Sequence, residues 1–83
     1  MKVVLTEGAL RDLNALDDGT QRRIVEKLDF FASSSDPLYF ANALTDHSVG
    51  SYRYRIGDYR AIFDVNKNVI VIMAIGHRRD IYR

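Results

Sequence analysis

The sequence predicts an α+β domain: an N-terminal strand and a two-helix hairpin packed on one face of a small four-stranded, mainly antiparallel sheet. Three observations carry this. Tyr52–Phe63 alternates in character on either side of Gly57-Asp58, as a β-hairpin with a two-residue primed turn does. Val69–Ile75 is apolar at every position, the pattern of a strand buried on both faces and therefore interior to its sheet. Ahead of both, two stretches repeat apolar residues at helical spacing. With 83 residues the chain is a single domain, 1–83. A domain of this size has a small margin of stability, to which a bound partner adds.

Taken in order, Lys2-Val3-Val4-Leu5 is a short, β-branched first strand. Thr6 is placed to cap a helix, with Glu7 in the first turn favoured by the helix dipole. Leu10, Leu13 and Leu16 recur at helical spacing until Asp17-Asp18-Gly19 breaks the run. In the second helix Asp18 and Gln21 have the spacing of a capping box, and Thr20 is the rival cap. Ile24, Val25, Leu28 and Phe31 then make one apolar face, and Ser33-Ser34-Ser35-Asp36-Pro37 ends the helix. Residues 36–51 have the weakest pattern: Leu38, Tyr39, Phe40 and Leu44 fit a further helical turn or a packed loop, and Gly50 opens the hairpin strand. Asn66-Lys67-Asn68 supplies the turn into the last strand. The three late strands form a meander. Pattern alone does not place the first strand among them.

The hairpin decides where the chemistry lies. A two-residue loop sets Ile56 opposite Tyr59, Arg55 opposite Arg60, Tyr54 opposite Ala61 and Arg53 opposite Ile62. Tyr52, Tyr54, Ile56, Tyr59, Ala61 and Phe63 then share the core face, and Arg53, Arg55 and Arg60 share the other. Like charges facing each other across a sheet are destabilising, so their gathering points to a polyanion. The planar guanidinium fork suits phosphate, whose oxygens it can grip in pairs. Overall charge is only +1, but residues 1–51 carry five Lys/Arg against eight Asp/Glu, and residues 52–83 seven against three. The basic half is the sheet half, which fits a nucleic-acid partner.

Register decides which late residues join that face. A two-residue turn at Asn66-Lys67 sets Arg60 opposite Met73 and turns His77 to the arginine side. A three-residue turn sets Arg60 opposite Ala74 and turns Arg78 there instead. Composition excludes other chemistries. The chain has no cysteine, so it has neither disulfides nor thiolate metal sites, and no histidine–carboxylate set at ligand spacing. No apolar run has the length of a membrane span, and the N-terminus lacks a signal-peptide pattern.

Tyr52-Arg53-Tyr54-Arg55-Ile56-Gly57-Asp58-Tyr59-Arg60, an apolar strand, and then Gly76-His77-Arg78-Arg79-Asp80-Ile81-Tyr82 resemble the signature of the RelE branch of the RelE/ParE toxin superfamily. The resemblance implies the toxin of a type II toxin–antitoxin system, a cytoplasmic, ribosome-dependent endoribonuclease that cuts mRNA in the ribosomal A site. It implies no metal or other cofactor, with the ribose 2′-hydroxyl attacking the adjacent phosphate. Its partners would be a cognate antitoxin, the ribosome and mRNA, with DNA met only through the antitoxin and no membrane. By the same resemblance Arg60 and Arg78 stabilise the charged transition state. Tyr82 stacks on or orients the base, and Arg53, Arg55 and Arg79 bind RNA phosphate. Relatives often have lysine where this chain has Arg53 and Arg55, and arginine is a poor general base. His77, whose ordinary titration lies near neutrality, is then the candidate proton carrier. The rival expectations are a ParE-like gyrase poison and a catalytically inactive binding module of the same fold.

Overall fold

The computed structural model describes residues 1–46 and 48–81. Strand β1 (Lys2–Leu5) leads to helices α1 (Glu7–Asn14) and α2 (Asp18–Ser33), a 3₁₀ turn (Pro37–Phe40), and strands β2 (Ala41–Ala43), β3 (Tyr52–Ile56), β4 (Tyr59–Asn66) and β5 (Val69–His77). The α+β expectation holds, with one strand more than expected: the sheet has five, in the order β1-β5-β4-β3-β2. The additional strand is β2, which pairs antiparallel with β3 from Ala41↔Tyr54 to Ala43↔Tyr52. Ala41-Asn42-Ala43 is short and built of residue types depleted in strands, so its strand conformation comes from the pairing and not from local preference. The first strand finds its place as the other edge, parallel to β5, with Lys2 beside Val69 and Leu5 beside Ile72.

Both helices begin with a side-chain cap. Thr6 accepts from the Ala9 amide, as expected, and Asp17, one residue before the anticipated Asp18, accepts from the Thr20 amide. Asp17 wins because its second oxygen also takes the Thr20 hydroxyl at 2.6 Å, and these bonds hold its carboxyl below the usual carboxylate range. The apolar stripe of α2 is Ile24, Leu28, Phe31 and Ala32, while Val25 and Phe30 are largely exposed. Val25 lies at the edge of the stripe, where the helix turns away from the sheet.

The core is built on rings. Phe31 stacks on Tyr54 at 4.4 Å, Tyr54 on Phe63 at 4.4 Å, and the column continues through Phe40 at one end and Tyr52 at the other. It joins α2 to β3 and β4, and its central ring is fully buried. The Tyr54 hydroxyl donates to the Pro37 carbonyl at 2.9 Å, so the only polar atom of that side chain is satisfied.

The hairpin register is the expected one, from Tyr52↔Phe63 to Ile56↔Tyr59. Gly57 has φ +61, which an L side chain adopts only with strain, and its positive φ at the first turn position fits a type II′ turn. The next turn is Lys67-Asn68, with φ 48 and 67, and Asn66 pairs with Val69. Neither anticipated register for the last strand occurs. A β-bulge between Ile62 and Phe63 skips Met73, so that Phe63 faces Ile72 but Ile62 faces Ala74, and Arg60 faces Gly76. Helix α1 secures the irregularity: the Thr6 amide donates to the Ile72 carbonyl, and the Asp12 carboxylate accepts from the Ile75 amide at 3.0 Å.

Two expectations follow. Gly50 is buried, and a Cβ there would lie 2.6 Å from the Ile62 side chain and 3.3 Å from the Phe63 carbonyl oxygen. Gly50→Ala should therefore lower stability by about 1–3 kcal/mol in urea unfolding; an unchanged midpoint would mean that this approach is not tight. Burial pushes the Tyr54 hydroxyl up to about 12. A raised folded-state value favours the neutral form, so the contribution is complete below the unfolded value near 10 and is lost as pH rises toward about 12. Alkaline unfolding of Tyr54→Phe should lack the part of the slope that this group supplies.

Candidate functional site

Strand alternation sends Tyr54, Ile56, Ala61 and Phe63 into the core and leaves Arg53, Arg55 and Arg60 together on the face away from the helices. The three differ in environment. Arg55 is exposed, Arg53 is half-buried, and Arg60 is only 6% exposed. Arg60 turns its Nη1 back onto the hairpin, donating to the Gly57 carbonyl at 2.9 Å and the Tyr59 carbonyl at 2.8 Å. Carbonyl dipoles thus offset the repulsion of facing Arg55 directly across the sheet.

The same turn anchors the segment beyond β5. The Arg78 amide donates to the Asp58 carbonyl at 2.7 Å, and the Arg78 Nε lies 3.7 Å from the Asp58 carboxylate. Three successive carbonyls, Gly57, Asp58 and Tyr59, therefore tie Arg60 and Arg78 to one hairpin tip. The Asp58–Arg78 ion pair is more than half exposed, and such pairs contribute little energy. It acts as a tether between a turn and a tail more than as a source of stability. Residues 78–81 form a turn in which the Asp80 and Ile81 amides both donate to the His77 carbonyl. Arg79 is exposed.

His77 lies elsewhere. It pairs with Tyr59, on the helix side of the sheet, with the two rings edge to face at 5.5 Å. Its Nδ1 accepts from the Arg79 amide at 3.2 Å, which fixes the start of the terminal turn. The bulge is the cause: it gives Ala74 and Gly76 the arginine side and turns His77 away from it. Tyr82 lies outside the described residues.

Beside the arginines the sheet face carries a cleft of roughly 560 Å³. The cross-strand pair Arg53 and Ile62 lines it together with Leu44, Thr45, Asp46, Ser48, Val49 and Ile81. Ile62 is fully buried although it points away from the helices, so the loop and tail make a small second apolar layer there. Asp46, at the rim, accepts from the Ser48 amide at 3.0 Å. Sequence reasoning missed Asp46 and the tethering role of Asp58. Asp58 had the signal of a turn residue only, and the 44–49 loop has no periodicity to read. Among the described residues no cluster of His, Cys, Asp or Glu is arranged to hold a metal ion, and no helix is long and apolar enough to cross a membrane.

Comparison with known proteins bears on this arrangement. Residues 3–82 match the family model of the ParE toxin of the type II toxin–antitoxin system parDE. The chain is 34% identical to the toxin RelG of Mycobacterium tuberculosis over 83 residues, covering 98% of this chain and 94% of that protein. Among solved structures it is similar to a chain of the toxin–antitoxin complex RelBE2 of Mycobacterium tuberculosis, with TM-score 0.77 and 29% identity over 93% of this chain and 96% of that one. A chain of the archaeal RelE–RelB complex from Pyrococcus horikoshii matches with TM-score 0.72 and 28% identity, over 95% and 96% of the two chains. With the shared fold and the near-complete coverage in agreement, the chain belongs to the RelE/ParE superfamily of type II toxin–antitoxin toxins, on its RelE-like branch.

Proposed function

We propose that this toxin is a ribosome-dependent, metal-independent endoribonuclease that cleaves mRNA in the A site, acts in the cytoplasm and is held in check by a cognate antitoxin. The observation that supports it best is the segregation of Arg53, Arg55 and Arg60 onto one sheet face, with Arg78 tethered to the same hairpin tip. The antitoxin follows from the RelB partners named with the RelE structures that this chain resembles.

In this reading the 2′-hydroxyl attacks its own 3′ phosphate, leaving a cyclic phosphate and a free 5′-hydroxyl. Arg55 and Arg53 grip the phosphate, and Arg60 and Arg78 face the charge that builds on its oxygens. Arg60 suits the task because its orientation is set before substrate arrives, so little reorganisation accompanies the reaction. Tyr82 stacks on the base. His77, on the opposite face beside Tyr59, is assigned to holding the terminal turn. Arginines are poor bases, so rate enhancement here comes chiefly from positioning and charge stabilisation, with ribosomal groups or water taking the proton.

A second reading, a ParE-like gyrase poison, is favoured by the family model that matches. Incubation of a defined mRNA with the folded chain, with and without programmed ribosomes, separates the two. Cuts mapped to the A site only with ribosomes support the nuclease. Intact mRNA in both, with inhibition of gyrase supercoiling, supports the poison.

Arg55→Ala and Arg78→Ala should each slow cleavage by about 10²-fold or more while shifting stability by no more than ~0.5 kcal/mol. Full activity in both would remove the proposed phosphate clamp. Arg60→Ala should lose cleavage and also about 1–3 kcal/mol of stability, since two carbonyls lose their donor. Tyr82→Phe should retain most activity and Tyr82→Ala should not; an equal loss in both would make the hydroxyl, and not the ring, the working part.

A further inference from the structure

On the helix side of the sheet, opposite the arginines, the column of core rings continues to the surface. Phe40, stacked on Phe31 at 4.9 Å, also meets Phe30 at 5.7 Å and Tyr39 at 5.3 Å. Phe30 is 56% exposed and Tyr39 79%. We propose that this surface binds the cognate antitoxin through an arginine of that partner, whose guanidinium stacks on Tyr39 and pairs with Asp36. This deepens the reading above by placing a contact with the antitoxin, and it rests on that reading for the antitoxin itself.

The surroundings of Tyr39 select the ligand. Beside it runs a notch of roughly 210 Å³ lined by Ser34, Ser35, Asp36, Tyr39 and Phe40, a volume suited to one side chain and below that of small-molecule sites. Asp36 is the one charged residue of this lining. It is exposed, and its carboxylate does not cap the 3₁₀ turn that it precedes. The Ser34 hydroxyl gives its proton to the Phe31 carbonyl at 2.7 Å and so offers only lone pairs. Acceptors beside an open ring match a guanidinium, which supplies five donors and a planar face for stacking. Phe30 already holds a contact of this kind, with the Lys27 Nζ 5.6 Å from its ring centroid. Among the described residues Tyr39 has none. The Asp36 carboxylate disfavours RNA phosphate, and residues 1–51 as a whole carry five Lys/Arg against eight Asp/Glu. Contiguous exposed rings on a monomeric protein mark an interaction surface. Tyrosine and arginine are enriched among the residues that dominate binding energy at interfaces. A partner that covers these rings in the resting state suits them better than one met only transiently, which favours the antitoxin over the ribosome.

The test has two arms, both on the whole chain. In the first, the isotope-labelled toxin is titrated with N-acetylarginine amide and followed by amide NMR. Ser35, Asp36 and Tyr39 should shift, and N-acetylglutamate amide should leave them unmoved. In the second, affinity for the co-expressed antitoxin is measured. Tyr39→Ala and Asp36→Asn should each weaken that complex by about tenfold. Added salt should weaken the wild-type complex more than that of Asp36→Asn. Cleavage on ribosomes without antitoxin should be unchanged in both variants. Undiminished affinity in both variants would overturn the surface, as would equal shifts with the two probes. Lost cleavage with intact antitoxin affinity would give the surface to the ribosome, and a wild-type dimer that Tyr39→Ala dissociates would give it to a second copy; either result overturns the proposal. Failure of the functional reading is seen separately. A chain that cuts no mRNA but loses antitoxin affinity in the variants keeps the surface and loses the catalysis, whereas a chain that forms no antitoxin complex loses both.

Discussion

The column of rings through the core fixes almost everything else. Phe31, Tyr54 and Phe63 stack at 4.4 Å spacings between a helix and two strands, and the buried hydroxyl of Tyr54 is tied to the Pro37 carbonyl. Strand side chains alternate, so committing Tyr54 and Phe63 to that column commits Arg53, Arg55 and Arg60 to the opposite face. A slip of one residue would bury guanidiniums and expose rings, which no compensating contact could offset. The arginine face is thus specified by packing on the other side of the sheet. The arginines need no preference of their own for where they sit.

Much of this was legible in the residue order, and the reasons are local. Gly57-Asp58 between alternating runs gave the hairpin, and with it the exact pairing of Arg55 with Arg60. The uniformly apolar Val69–Ile75 run gave an interior strand, observed between β1 and β4. Thr6 gave the first cap. What was not legible depended on partners distant in the chain. Ala41–Ala43 is a strand only because Tyr52–Tyr54 lies beside it. The bulge at Met73 depends on Thr6 and Asp12, which supply bonds for the neighbouring backbone from more than sixty residues away. Nothing within the β5 sequence announces it, yet it decides that Gly76 and not His77 faces the arginines.

The candidate site divides in the same way. The arginine face followed from period-two reasoning alone. The inward turn of Arg60 onto two carbonyls and the tether from Asp58 to Arg78 are tertiary outcomes. So is the second apolar layer around Ile62, where Leu44, Val49 and Ile81 line the same cleft on a side of the strands that was expected to be merely polar. The family relationship adds the type of protein, and the geometry adds which arginines are held in place and which extend into solvent.

The parallel pairing of β1 with β5 carries a consequence for the timing of synthesis. Lys2–Leu5 is made well before Val69–Ile72, its only sheet neighbour among the described residues. Until those residues emerge, β1 has no strand to pair with, and the bulge that sets the last register lacks half of its backbone partners. Closing so long a loop is an entropic step that local structure cannot bypass. The arginine-bearing face therefore takes its final register only after Val69–Ile72 has been made, so it cannot be finished by the hairpin that carries the arginines alone.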